Sequence, residues 1–169
     1  MDETMHQQEH RIVVGVDDTA ASRAALAFAL QEAARGGDGV EVVTTWHPTV
    51  PTLSYPVWAA GSSGEDRAAV RGAAEQVQRE ALAEADVPPG VAVTARVVQG
   101  NPGPVLVDAA RDARLLVVGS RALGPVRAAL LGSVSRYCAQ HAAGPVVVVP
   151  AAHDDTDRDS TEDAVMSAS

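Results

Sequence analysis

Five short segments rich in valine, isoleucine and leucine recur along this chain, and they constrain its fold more than any other feature. Each is only as long as a strand, and such continuous apolar segments are typical of strands buried on both faces of a sheet. The segments are 12–16, 40–46, 91–98, 115–118 and 146–149. Because stretches of helical periodicity separate them, the sequence predicts an α/β fold with an open five-stranded, mainly parallel sheet and helices on both faces.

The four helical stretches differ in how clearly they are marked. They are predicted over 20–35, 65–85, 105–112 and 133–142. The first ends at two glycines, which are a typical stop signal for a helix. The second is rich in alanine, and its apolar positions are interpreted as Ala69, Ala73, Val77 and Leu82. Residues 100–104 are predicted to form a tight turn before the third helix, because they hold two glycines and two prolines.

Composition divides the chain into one folded domain with a polar segment at each end. Residues 1–10 show no apolar pattern and are expected to be a flexible leader, whereas 11–150 form the domain. Residues 151–169 hold six acidic residues against one arginine, so we expect a disordered acidic tail. A long segment at 47–64, with three prolines and several serines and glycines, is predicted to be a loop that acts as a flap over a site.

Composition also excludes several classes of protein. The formal charge of −9 argues against general binding to nucleic acid or anionic membranes, since both need a positive surface. The chain has no lysine, which excludes a phosphate-binding lysine and a Schiff base. Cys138 is the only cysteine and is interpreted as a small buried apolar residue. With no apolar segment of membrane-spanning length and no signal peptide, we expect a cytoplasmic protein that binds neither membrane nor nucleic acid.

Polar residues follow the first strand at a place where ligands often bind. In open parallel sheets, ligands lie at the carboxyl ends of strands where the winding of the chain reverses. Asp17, Asp18 and Thr19 occupy such an end. A carboxylate there can accept a hydrogen bond from a ribose hydroxyl or an adenine amino group, or hold hydrated magnesium. Since aspartate and threonine are equally typical of helix N-caps, ligand contact and capping are alternatives for this turn.

A second candidate segment follows the fourth strand and leads into the last helix. It contains Gly119, Arg121, Arg127, Gly132 and Ser133. Glycines allow backbone amides to approach a phosphate, and a helix N-terminus adds free donors and the positive end of a dipole. Serine hydroxyls and arginines would add donors and charge. The alternative is that the glycines mark a strand end and a turn, and that the serine only caps the helix.

Five segments resemble the universal stress protein family, and they occur in the family's order. They are IVVGVD at 12–17, VQGNP at 98–102, LLVVGS at 115–120, LLGSVS at 130–135 and HAAGPVVVV at 141–149. The resemblance spans about 11–150. The signature of the family's ATP-binding branch is glycine, two residues, glycine, nine residues, glycine, then serine or threonine. This chain keeps that spacing with Gly119, Ala122, Gly132 and Ser133, so one glycine is replaced by alanine.

The resemblance implies an adenine-nucleotide site and a homodimer. The adenosine of ATP, bound with Mg²⁺, would lie by the ends of the first and second strands, and its phosphates by the bend after the fourth. The homodimer would form through the last strand, at 146–149. A methyl at the replaced glycine costs about 1 kcal/mol if φ is positive there, and Pro125 lacks an N–H, so we expect weaker binding than with the intact motif. The residues implied to bind the nucleotide are Asp17, Thr44, Thr45, Gly119, Arg121, Ala122, Gly132, Ser133, Val134 and Ser135.

Three functions are compatible with this sequence. The first is a stress-response regulatory module whose loops or dimer contacts change when ATP binds. The second is a stress protein that binds no nucleotide and acts through its dimer, flap or acidic tail. The third is a slow ATP hydrolase, which the sequence favours least because it contains no organised catalytic base.

Trp46, at the end of the second strand, is interpreted as a packing residue.

Overall fold

The computed structural model describes residues 10–47, 64–120 and 131–151, and the account of the structure concerns these residues. Five strands alternate with four helices, as predicted. None of these helices is long and apolar enough to cross a membrane. In chain order the elements are β1 (Arg11–Gly15), α1 (Ala20–Gly36), β2 (Gly39–Trp46), α2 (Gly64–Glu84), β3 (Val93–Gln99), α3 (Pro102–Ala109), β4 (Leu115–Ser120), α4 (Ser133–His141) and β5 (Val146–Pro150).

The five strands form one sheet in the order β3-β2-β1-β4-β5, and every pair is parallel. β1 is central: Ile12 lies opposite Val40 of β2 on one side and Leu115 of β4 on the other. The chain winds outward from β1 through β2 to β3, then crosses back to β4 and β5. The winding therefore reverses between β1 and β4, and the predicted α/β fold is confirmed.

Alternate residues of each strand enter two separate cores, one on each face of the sheet. Ile12 and Val14 of β1 pack under α1 and the carboxyl-terminal half of α2, with Leu26 and Leu30 of α1 among the largest buried side chains. Val13 lies on the other face with α3 and α4. Since both faces are covered by helices, the central strands β1 and β4 hold continuous buried apolar segments at 12–14 and 115–118, as expected for a parallel sheet.

Two helices differ from the sequence prediction. α3 begins at Pro102, three residues earlier than predicted, because proline fits the first turn of a helix, where its missing N–H would have no partner. In α2, Ala69 and Ala73, two of the apolar positions of this predicted surface helix, are exposed. The buried side of α2 instead holds Gln78 and Ala81. Alanine occurs on every side of this helix, so apolar spacing does not define its buried face.

Two buried carboxylates lie in and just before β2, near the amino-terminal edge of the sheet. The fully buried carboxylate of Asp38 is 2.7 Å from Nη2 of Arg114. Glu41 is 5% exposed and pairs with Arg11, at 2.8 Å, and with Arg96 of β3. Burial of a carboxylate requires such partners. These ion pairs lie where the strands begin and stabilise the fold at that end of the sheet. The candidate site lies at the opposite end, where the strands finish.

Cys138 of α4 is fully buried in the core between α3, α4 and the sheet, as predicted. Burial raises the pKa of its thiol to about 11, because the apolar surroundings disfavour the thiolate. At pH 8 only about one thiol in a thousand is then ionised in the folded protein. Since the thiolate is the reactive form, the folded chain should protect this cysteine from thiol reagents.

We therefore predict that a disulfide reagent labels Cys138 slowly in the native protein at pH 8 and rapidly in concentrated urea. The rate of absorbance change on labelling measures this, and the Cys138→Ala variant gives the background. Rapid labelling of the native protein, with the same rate as in urea, would show that the thiol is not in a packed core.

Candidate functional site

A cavity of about 400 Å³ opens at the carboxyl ends of β1, β2 and β4, where the winding of the sheet reverses. Strand ends, the first turns of α1, α3 and α4, and one side of α2 all contribute to its wall. This is where an open parallel sheet is expected to bind a ligand. The residues that line it are Gly15, Val16, Asp17, Thr19, Ser22, Val43, Thr45, Trp46, His47, Val70, Ala74, Pro102, Leu106, Val118, Gly119, Gly132, Ser133, Val134 and Ser135.

The turn between β1 and α1 is braced by its own side chains. Thr19 is the N-cap of α1, and its Oγ1 accepts a hydrogen bond from the amide of Ser22 at 3.2 Å. The Oδ1 atom of Asp17 accepts hydrogen bonds from the amide of Thr19 at 3.0 Å and from its hydroxyl at 2.5 Å. The carboxylate of Asp17 thus orders the capping residue and also lines the cavity. Of the two alternatives for this turn, capping is the one observed for Thr19. Asp17 takes part in the cap and also lines the cavity.

Ser22 is a site residue that the sequence did not reveal. It is 3% exposed, and its hydroxyl donates to the carbonyl of Asp17 at 2.8 Å. It stands three residues after the N-cap, where a capping box usually has glutamate or glutamine. A serine at that position is a weak signal, which is why the pattern alone did not indicate it.

Gly119 allows β4 to lie directly against the first turn of α1. A methyl group on Gly119 would come within 2.6–2.8 Å of backbone atoms of Ala21 and Ser22, closer than real side chains approach. The contact is with backbone rather than a flexible side chain, so it cannot be relieved by a rotamer change. Gly119 also lines the cavity, so it has a structural role at the place where the sequence predicted phosphate contact.

The first turn of α4 lines the cavity and has no side-chain cap. Gly132 is the N-cap, has an ordinary φ of −58°, and contributes no side-chain cap, since it has no side chain. Ser133, Val134 and Ser135 follow, and all three line the cavity. The first amides of a helix have no partner within it, and the helix dipole places partial positive charge at this end. Ser135 is buried, and its hydroxyl donates to the carbonyl of Gly132 at 3.1 Å.

The first turn of α3 differs from that of α4 because it is poor in donors. Pro102 and Pro104 occupy its first and third positions, and neither has an N–H. Leu106 of the same helix adds an apolar surface to the cavity wall. The amide-rich part of the cavity is therefore at α4, and the face along α3 is apolar.

The end of the cavity beside β2 and α2 is largely apolar. Trp46 and His47 come from the end of β2, and Val70 and Ala74 from one side of α2. Trp46 was interpreted as a packing residue, and the structure places it in the cavity wall. Its carbonyl accepts a hydrogen bond from the amide of Gly100 at 2.9 Å, which fixes the strand end. The two α2 residues were missed because the buried face of this alanine-rich helix could not be read from spacing.

The structure brings together most of the residues that the sequence singled out. Thr44 is an exception: it is 3% exposed and its Oγ1 accepts from Gln78, so it lies beneath the cavity wall rather than in it. Arg121 and Ala122, with the rest of 121–130, lie outside the described residues, as do residues 48–63 of the flap predicted at 47–64. The residues that line the cavity as anticipated are Asp17, Thr45, Gly119, Gly132, Ser133, Val134 and Ser135.

Comparison with known proteins identifies the family of the chain. The universal stress protein family model matches residues 9–150. The chain belongs to the universal stress protein family. A universal stress protein of Mycobacterium tuberculosis strain H37Rv is 38% identical to it over 144 residues, which are 85% of this chain and 46% of that protein. The chain thus spans about half the length of the curated relatives it matches.

Solved structures of the family have the same fold. UspA from Lactobacillus plantarum is 20% identical, with a TM-score of 0.60 over 83% of this chain and 98% of its own. A universal stress protein in complex with cAMP is 26% identical, with a TM-score of 0.54 over 85% of this chain and 98% of its own. Within the ranges that the structure describes, no group of three or more histidine, cysteine or acidic side chains could hold a metal ion.

We predict that Gly119→Ala lowers the free energy of unfolding by about 1–3 kcal/mol, because the added methyl would overlap the first turn of α1. Gly72 in α2 is the matched control, since a methyl there meets nothing within 4 Å. Gly72→Ala should raise the free energy by roughly 0.5–1 kcal/mol, as alanine favours a helix over glycine. Urea denaturation measures both, and equal effects of the two substitutions would contradict the close approach.

Proposed function

We propose that this universal stress protein binds an adenine nucleotide, with ATP as the physiological ligand, in the cavity at the carboxyl ends of β1, β2 and β4. One observation carries the proposal: a single cavity joins uncapped amides at the head of α4 to an apolar wall at the end of β2. A nucleotide has the same two-ended chemistry, since its phosphates are anionic and its base has flat aromatic faces that pack on apolar side chains. Helix N-termini with free amides are typical phosphate sites.

The arrangement of side chains favours one orientation of the ligand. Phosphate oxygens would accept hydrogen bonds from the amides of Ser133, Val134 and Ser135. The adenine and ribose would occupy the end lined by Trp46 and Val70, with the carboxylate of Asp17 nearby to accept from a hydroxyl or amino group. The cavity volume of about 400 Å³ falls in the range of small-molecule sites. The relative solved with cAMP, which is 26% identical, supports an adenine nucleotide as the ligand class.

A regulatory role fits this site better than rapid turnover of ATP. The carboxylate of Asp17 is held by Thr19 in the capping turn, where it orders the backbone rather than activating a water. Phosphates bound at the start of α4 would act on a short helix of nine residues whose other end leads into β5. Nucleotide binding in the cavity would in this way affect β5, at the edge of the sheet.

We predict that ATP with magnesium binds the purified protein in calorimetry and that Gly132→Asp abolishes binding without lowering stability. Aspartate is a good N-cap, and its charge favours a helix N-terminus, so the free energy of unfolding should be unchanged or rise by about 0.5–1 kcal/mol. The same carboxylate would repel phosphates. Gly132→Asn is the control, because it has a similar size and capping ability without the charge, and it should weaken ATP binding less.

Two results would contradict this placement. Normal binding by Gly132→Asp would show that phosphates do not lie at the start of α4. Neither heat nor a thermal shift with wild-type protein at millimolar ATP would reject the nucleotide site, and would favour a protein that acts through partner contacts alone.

We propose further that the chain forms a homodimer through β5. β5 is an edge strand of four consecutive valines followed by a proline, and each of the valines is partly exposed. An unprotected apolar edge invites pairing with a second strand. β3, at the other edge, carries the exposed residues Thr94, Ala95 and Arg96 and is a poorer surface for such pairing. The register of β5 with β4 turns the backbone of Val146 and Val148 outward.

We predict that Val148→Pro converts a dimer to a monomer, because it removes an outward amide that the partner strand would use. Ala95→Pro is the matched control: its amide also faces outward, but on the opposite edge. Sedimentation velocity should show a dimer for the wild type and for Ala95→Pro, and a monomer for Val148→Pro. A wild-type monomer, or loss of the dimer in the β3 variant alone, would overturn the proposed interface.

A further inference from the structure

The amide of Gln78 is buried between α2 and the sheet, where it makes three hydrogen bonds. Gln78 is 7% exposed. Its Nε2 donates to the carbonyl of Arg96 at 2.9 Å, and to the carbonyl of Val42 and Oγ1 of Thr44 at 3.3 Å each. Val42 and Thr44 belong to β2 and Arg96 to β3, so one side chain joins the helix to two neighbouring strands.

The hydrogen bonds of Gln78 fix the position of α2 on the sheet, which the apolar contacts of the helix cannot do. Ala81 and Leu82 of the same helix pack against the core, and such contacts are nondirectional. Hydrogen bonds weaken steeply when distance and angle change. The carbonyls bonded by Gln78 lie on adjacent strands, so the bonds restrict movement of the helix both along the strands and across them.

Gln78 lies on the same side of α2 as the residues of this helix that line the cavity. Val70, Ala74 and Gln78 follow one another at intervals of four residues and so share one side of α2. With a rise of 1.5 Å per residue, Ala74 is about 6 Å and Val70 about 12 Å along the helix axis from Gln78. On the strand side, Thr44 is followed directly by Thr45 and Trp46, which line the cavity. The hydrogen bond between Gln78 and Thr44 therefore joins two walls of the cavity at their base.

We infer that Gln78 is a positioning residue: it holds the α2 wall against the end of β2 and so sets the width of the apolar end of the cavity. Its effect on a ligand rests on the proposed nucleotide site. Because α2 borders the apolar end and α4 the amide-rich end, Gln78 governs affinity for the nucleoside part and leaves the phosphate contacts alone.

The position of the helix is tested without any ligand, by hydrogen exchange of backbone amides. Gln78→Leu removes the donors, and Gln78→Glu places acceptors against acceptors and should have the larger effect. Gln76→Leu is the control, since Gln76 is exposed on the same helix and its amide bonds only side chains of that helix, Glu80 and Arg79, at 2.6 Å each. We expect exchange at 68–77 to rise about tenfold in Gln78→Leu, the effect of losing a buried hydrogen bond, with α1 unchanged.

The exchange experiment has two results that would overturn the inference. One is exchange at 68–77 equal to that of the control variant. The other is an equal rise in α1 and α2, which would indicate general destabilisation rather than release of one wall.

A second experiment compares the affinities of the variants for adenosine and for ATP. Gln78→Leu should weaken both by the same factor, about tenfold, because both carry the nucleoside. Gly132→Asp should weaken binding of ATP and leave that of adenosine within about twofold, since only ATP carries phosphates to the start of α4. If Gln78→Leu leaves adenosine binding unchanged, or weakens ATP alone, the inference is wrong. If the wild type binds neither compound, the proposed nucleotide site is wrong, and hydrogen exchange alone decides the role of Gln78.

Discussion

The position of β1 at the centre of the sheet determines where everything else in this protein lies. Its residues 12–14 are completely buried, and its backbone pairs with β2 on one side and β4 on the other. Because β1 is hydrogen-bonded to a strand on each side and covered by helices on each face, it fixes the order of the sheet. Only its carboxyl end is left open. The cavity forms at that end, since α1, which follows β1, and α4, which follows β4, lie on opposite faces of the sheet. Gly119 brings α1 and β4 into direct contact at the same place.

The polarity of the cavity comes from differences between three helix N-termini. α1 is capped by the side chain of Thr19, so its first amides are partly satisfied. α3 has two prolines in its first turn and lacks the donors. α4 begins at a glycine without a side-chain cap, and its first three residues line the cavity. Three similar elements therefore provide one turn ordered by Asp17, one apolar wall and one helix start without a side-chain cap.

Much of the fold could be predicted from the sequence, because buried parallel strands and helix stop signals are local patterns. The valine-rich segments identified all five strands, and Gly37, at a φ of 70°, ends α1 as predicted. The strand-end rule also placed Asp17, Gly119 and the 132–135 segment at one end of the sheet. The buried side of α2 could not be predicted, because its decisive residue is a polar glutamine. Thr44 was assigned to the ligand from resemblance alone, whereas strand alternation turns its side chain to Gln78 on the α2 face.

The most direct test of the account is the response of backbone amides to nucleotide in a ¹⁵N-labelled sample. ATP with magnesium should shift the amide signals of Ser133, Val134 and Ser135, and adenosine should shift mainly signals at the end of β2. Shifts confined to the amino-terminal edge of the sheet, or none at the start of α4 at saturating ATP, would contradict it.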